Sequence, residues 1–163
     1  MQRLFAWHRK TSLTIHSLKK SSVTLKPRCD KILEVVAPLP LEDFVAEVSR
    51  VWGESVTIKF RQDDLAREAI ATSPTALACL TEVIREGVNN AIKHASASEI
   101  SIDVFVVEPM LVEVTVVNPS QPEALSVSPG FGTDYLNNLT HDWSLTDDGS
   151  NTTLWAAVAL DQS

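Results

Sequence analysis

The sequence predicts an α/β fold, a two-layer sandwich in which helices cover one face of a mixed, mostly antiparallel sheet. Three observations carry this. Leu80, Ile84, Val88, Ala91, Ile92 and Ala95 recur at helical spacing and draw one apolar stripe along a long helix. Directly after it, Ile100, Ile102, Val104 and Val106 share one face of a strand, and LVEVTVV returns after Glu108-Pro109 to make a hairpin. A second hairpin closes the chain: HDWSL and TTLWAAVAL are joined through Asp148-Gly149, a pair suited to a tight turn.

The remaining elements fall between these. Residues 1–37 read as a basic N-terminal arm or linker, part helical and part extended, and 38–163 as the folded domain. Pro38 and Pro40 punctuate the entry into LEDFVAEVSRVW, where Leu41, Phe44, Val45, Val48 and Trp52 share a helical face until Gly53 ends it. SVTIKF alternates Val56, Ile58 and Phe60 with polar neighbours, a half-buried strand, and residues 61–72 read as a polar connector. Ser73-Pro74 then starts the long helix, with Ser at the cap and Pro in the first turn. Between the hairpins, a polar loop from Pro119 to Ser128 leads into PGFGTDYLNNL, a short helix opened by Gly130-x-Gly132 and carrying Tyr135, Leu136 and Leu139. Trp52, Trp143 and Trp155 fall on expected core faces and read as packing residues.

Composition narrows the field. A chain of 163 residues with 44% hydrophobic residues has room for one proper core. Its apolar runs are too short for a membrane-spanning helix. Cys29 and Cys79 lie far apart without a CxxC or a histidine at metal spacing, and read as incidental thiols of a reducing, cytoplasmic compartment. Charge is uneven: residues 1–31 hold eight Lys/Arg against the single acid Asp30, whereas the net charge of the whole chain is −7. An acidic body argues against nucleic acid as the main partner. A basic arm suits a solvated tail or a cytoplasmic segment next to a membrane-bound part.

The long helix carries a second stripe. Glu82, Glu86, Asn90 and His94 stand four residues apart, stacked turn upon turn beside the apolar stripe, with Lys93 next to them. Such groups are costly to bury without partners, so their alignment along a core-facing helix points to a binding role.

REGVNNAIKHASAS resembles the N-box helix of the ATPase superfamily that contains DNA gyrase and the sensor histidine kinases. It is most similar to histidine kinases of the nitrate-sensor and desaturase-sensor type, whose pattern E-x-x-x-N-x-x-[KR]-H-[AS] is matched by Glu86, Asn90, Lys93, His94 and Ala95. The fold this implies is the Bergerat-type ATP-binding sandwich, with ATP held between the helical layer and a mobile lid.

The resemblance also implies roles. Asn90 is the expected Mg²⁺ ligand, which suits an ion that keeps several waters and needs few protein oxygens. Glu86 is expected to bind a metal water or to polarise the attacking group, and Lys93 to lie near the phosphates. His94 is expected either to touch the nucleotide or to be a satisfied helix-end histidine. Gly130 and Gly132 of the glycine-rich lid (Gly130-Phe131-Gly132-Thr133) offer backbone N–H groups to phosphate, with Thr133 beside them. Thr153 resembles the threonine of the family's last box, and Thr152 is the neighbouring candidate. The chain departs from the pattern at the end of the first hairpin, where the family has D-x-G and this chain has Asn118-Pro119-Ser120. Asn118 keeps an acceptor for the adenine amino group but lacks the charge.

The implied function is the Mg-ATP-binding catalytic domain of a two-component, sensor-histidine-kinase-like protein, transferring the γ-phosphoryl group to a histidine on another segment or chain. By the same resemblance its partners are a phosphoacceptor histidine domain and a response regulator. His8 is followed by Arg9 and His16 by Ser17, not by acids, so the phosphoacceptor helices are not expected within this sequence. Two rivals share the fold: a non-catalytic nucleotide-binding or interaction module, and a serine kinase of the anti-sigma-factor type.

Overall fold

In the structure, a computed structural model, residues 39–108, 110–120 and 131–161 are described, without the side chains of 94 and 131–133, together with the backbone of residues 13–15. The elements in chain order are β1 (Leu13–Ile15), α1 (Leu41–Trp52), β2 (Thr57–Gln62), α2 (Asp64–Ala71), α3 (Pro74–Ala95), β3 (Glu99–Glu108), β4 (Leu111–Pro119), α4 (Phe131–Leu139), β5 (Asp142–Asp147) and β6 (Asn151–Ala159). The strands form one sheet in the order β1-β5-β6-β4-β3-β2. Only β2 and β3 run parallel, joined through α2 and α3; every other neighbouring pair is antiparallel.

The sheet has two unlike faces. Ile100, Ile102, Val104, Val112, Val114, Val116, Leu154, Ala156 and Val158 are buried on the face that meets the helices. Ser101, Asp103, Glu113, Thr115, Thr153 and Trp155 alternate with them on the outer face and are half-buried. Against the buried face lies α3, with Leu80, Val83 and Ile84 fully buried and Val88 at 1% exposure. Each such side chain contributes about 1.5–3 kcal/mol, so α3 is anchored along its length and is a rigid platform for whatever its polar stripe holds.

Three expectations are corrected. Residues 61–72 are not a plain connector: Arg61 and Gln62 extend β2, and Asp64–Ala71 form α2. Its cap was legible, since Asp63 Oδ1 accepts from the Ala66 amide at 2.6 Å. Its periodicity was not, because a helix this short buries only Ala66 and Ile70 while Leu65 stays 66% exposed. Trp52 and Trp155 are not core residues. Trp52 sits in the last turn of α1 at 37% exposure, and Trp155 pairs with Ser144 and Thr115 on the outer face. Trp143 alone of the three is buried, its indole N–H donating to Asn137 Oδ1 at 3.0 Å. Finally, Ser73 caps α3 in position only: its hydroxyl bonds no amide of the helix. It accepts instead from the Asp161 amide at 2.8 Å, beyond the end of β6. No helix among the described residues is long and apolar enough to cross a membrane.

Candidate functional site

Two contacts set the direction of α3 across the sheet. At its start, Ser73 and Thr75 bind Asp161, just past the end of β6. Three turns on, Gly87 lies over Val116 of β4 and Leu154 of β6, close enough that a Cβ would meet their side chains at 3.0–3.2 Å. The helix therefore runs antiparallel to β6. From Gly87 to the Asn90–Ala91 turn it advances about 4.5–6 Å. One two-residue step along β6, from Leu154 to Thr152, is about 7 Å. Beyond Gly87, α3 thus continues toward the Thr152 end of β6.

On α3, Glu86 and Asn90 are half-buried and joined, the Asn90 Nδ2 donating to Glu86 Oε1 at 3.0 Å. That bond commits one amide hydrogen and leaves the Asn90 carboxamide oxygen with no protein partner among the described residues. Lys93 is exposed one turn on; the His94 side chain lies outside the description.

On the sheet, three residues form one row across three strands. Asn118 pairs with Thr152 between β4 and β6, and Thr152 pairs with Asp147 between β6 and β5. Directly paired residues share a face, and Asn118 belongs to the same alternation as Val116 and Val114, so the row lies on the helix-facing side. Asn118 is only 6% exposed, and its Nδ2 donates to the Pro119 carbonyl at 2.9 Å. Asp147 Oδ2 accepts from Thr152 Oγ1 at 2.8 Å and from Ser120 Oγ at 2.6 Å, while its Oδ1 accepts from the Gly149 amide at 2.7 Å. Burial pushes this carboxyl up, but the bonds from Ser120, Thr152 and Gly149 outweigh it and hold it below the usual aspartate value. Gly149 takes φ +82°, the left-handed conformation that lets the turn bring its amide to the carboxylate.

Thr153, the first candidate of the last strand, pairs with Val117 and Thr146 and stands on the outer face. Its neighbour Thr152 holds the place beside Asn118. Gly130 lies outside the described residues, and Gly132 and Thr133 fall in the first turn of α4. That helix is seated on α3 by the Tyr135 hydroxyl, which donates to Glu82 Oε2 at 2.7 Å, and by buried Leu136 and Leu139. The sequence reading missed Gly87, Ser120 and Asp147. For Asp147 a signal existed: the alternation Trp143, Leu145, Asp147 places an acid in the phase of the core face.

No protein-family model matches this chain, and no curated protein is similar to it. Solved structures do share its fold. The blue-light activated histidine kinase of Erythrobacter litoralis is 16% identical with a TM-score of 0.56, over 77% of this chain and 43% of that one. A structure of the histidine kinase domain of the same protein is 14% identical with a TM-score of 0.53, over 80% and 67% of the two chains. Full-length ShkA in complex with AMPPNP is 13% identical with a TM-score of 0.53, over 79% and 32%. The chain thus spans less than half of two of these structures. The fold is that of the histidine kinase domain, in agreement with the likeness of the 80–95 helix.

Proposed function

We propose that this chain is the Mg-ATP-binding catalytic domain of a sensor-histidine-kinase-like signalling protein, moving the γ-phosphoryl group of ATP to a histidine on another segment or chain. The observation that carries the reading is the Glu86–Asn90 hydrogen bond, held on the helix that packs against the sheet face carrying the polar row Asn118-Thr152-Asp147. A carboxylate and a carboxamide held together suit a metal-bound triphosphate. A row of acceptors at the sheet suits a base.

The donor chemistry fits magnesium. Among the described residues no group of three or more His, Cys, Asp or Glu could hold a metal by itself. Mg²⁺ does not need one, since it binds through one or two protein oxygens with phosphate and water. The Asn90 carboxamide oxygen would be that ligand, and the ion would bridge and neutralise the phosphates. Glu86 orients Asn90 through their hydrogen bond and would polarise the attacking imidazole. In the transfer, the bond from the γ-phosphorus to the bridging oxygen breaks, ADP leaves, and a phosphorus–nitrogen bond forms. Asn118 retains an acceptor oxygen for the adenine amino group, so the departure from D-x-G keeps the hydrogen bond and loses the charge. The AMPPNP bound by ShkA supports the same reading. A response regulator would take the phosphoryl group onward, and the cytoplasm is the compartment this chemistry implies.

Calorimetric titration of Mg-ATP and Mg-ADP, with Asn90→Ala as control, tests this. Saturable, magnesium-dependent binding that the control loses is expected. Absence of heat at millimolar nucleotide in a folded sample would sink the proposal. Acid-labile label on the acceptor separates histidine transfer from the serine kinase that shares the fold.

A further inference from the structure

We infer that Asp147 is a positioning residue that sets the hydrogen-bond polarity of the base side of the site, committing the Thr152 proton so that the Thr152 oxygen is an acceptor beside that of Asn118, and so selecting a 6-amino purine over a 6-oxo purine. The inference rests on the nucleotide reading above and adds a residue to it.

A hydroxyl is ambivalent: it donates one hydrogen and accepts through its lone pairs, and rotates to suit its partner. Thr152 alone would therefore accept from an amino group or donate to a carbonyl with similar ease. Asp147 removes that freedom. An ionised carboxylate only accepts, and its Oδ2 lies 2.8 Å from Thr152 Oγ1, so the threonine proton is committed to it. The same oxygen takes the Ser120 proton at 2.6 Å. On the other side of Thr152, one of the two Asn118 amide hydrogens is committed, its Nδ2 donating to the Pro119 carbonyl at 2.9 Å. What Thr152 still offers is lone pairs, beside the Asn118 carboxamide oxygen at the paired position of the adjacent strand.

The carboxylate is itself fixed. Ser120, Thr152 and the Gly149 amide hold both of its oxygens, and Gly149 does so from a left-handed turn that orders the β5–β6 connection. Charge-assisted bonds of this kind are stronger than neutral ones, so the orientation of the Thr152 hydroxyl is set before any ligand arrives. A purine bearing an amino group at C6 would meet acceptors. One bearing an oxygen there would place lone pair against lone pair, and a buried acceptor facing an acceptor is penalised. Asn118 brings no charge, and Asp147, one strand beyond Thr152, supplies the anion through the hydroxyl.

The test compares ATP with inosine triphosphate, which replaces the 6-amino group by oxygen, each with magnesium and measured by calorimetry on the full chain. The wild type is expected to favour ATP by about tenfold or more, the worth of one well-made hydrogen bond against an unpaired acceptor. In Asp147→Asn the amide gives Thr152 an alternative partner, its hydroxyl is freed to donate, and the preference is expected to fall to about threefold or less. A residue with a merely structural role would weaken both nucleotides alike and leave the ratio untouched; that outcome overturns the inference. Should Asp147→Asn fail to fold, Thr152→Val and Thr152→Ser carry the test. The valine variant must lose the preference and the serine variant keep it, and an unchanged ratio in the valine variant overturns the inference. Binding of neither nucleotide by the folded wild type overturns the nucleotide reading, and with it this inference. Tight binding of both without preference overturns the inference alone.

Discussion

Gly87 of α3 rests against Val116 of β4 so closely that a methyl group on its Cα would stand 3.0 Å from Val116 Cγ2. The neighbours it would press on are core residues: Val116 is 2% exposed and its cross-strand partner Leu154, which the same methyl would approach to 3.2 Å, is 5% exposed. The glycine brings the helix that carries Asn90 down onto the sheet. Gly87→Ala is expected to destabilise by up to about 2 kcal/mol, the overpacking cost of about 1–3 kcal/mol less the helix-propensity gain of about 1. Urea unfolding measures it. Nucleotide affinity should fall beyond what stability explains, since the helix must lift.

Glu86 and Asn90 are coupled through one hydrogen bond, and the coupling can be separated from the charge. Glu86→Gln keeps an oxygen that accepts from the Asn90 amide. Nucleotide binding is expected to stay within about threefold, while phosphoryl transfer falls by about 10²–10⁴ if Glu86 polarises the attacking imidazole. ADP release in the presence of the phosphoacceptor segment checks it. An unchanged rate would assign Glu86 to holding Asn90 and nothing more.

Ser73 and Asp161 tie the start of α3 to the end of β6 in both directions. The Ser73 hydroxyl accepts from the Asp161 amide, and the Asp161 carboxylate accepts from the Thr75 amide at 3.2 Å, where it also faces the positive end of the helix. Ser73 is 2% exposed, so Ser73→Ala leaves a partly buried amide unpaired and should cost about 1–2 kcal/mol. Asp161→Asn retains an acceptor, loses the charge and should cost less than about 1 kcal/mol. A double-mutant cycle in denaturant would reveal whether the two act as one clasp.

Acid should act through Asp147. Its carboxyl titrates lower in the folded chain than in the unfolded one, so between the two values the folded chain binds fewer protons. The stability it contributes is full above the usual aspartate range and drains away as pH falls below about 4 through the lowered value. Asp147→Asn has no such proton to take up, so the stability gap between wild type and variant should narrow between pH 6 and pH 3. A gap that stays constant across that range would mean the Ser120, Thr152 and Gly149 bonds do not favour the anion.

Legibility in the sequence followed the distance over which each feature is specified. The 80–95 helix was readable because its stripe repeats every turn, and both hairpins because strand alternation and turn residues are neighbours in sequence. The helix at Asp64–Ala71 was missed because two buried residues make no period. At the site, Glu86 and Asn90 were readable as an i, i+4 pair on one helix. The choice between Thr152 and Thr153 was not, since one residue of register reverses which of them faces the helices, and only the pairing with Asn118 and Asp147 decides it.

By itself, then, the sequence determined the longer elements, the α/β class and the polar stripe on the long helix, because these follow from periodicities within a few turns or strand lengths. Tertiary structure alone decided that Asn118, Thr152 and Asp147 form one row, that Ser120 reaches the same carboxylate, and that Gly87 is the point of closest approach. Strands β4, β6 and β5 become neighbours in a sheet order that differs from their chain order, and register across such pairs is set by the packing of a shared core face. No local pattern encodes that packing, and the acceptor row depends on it.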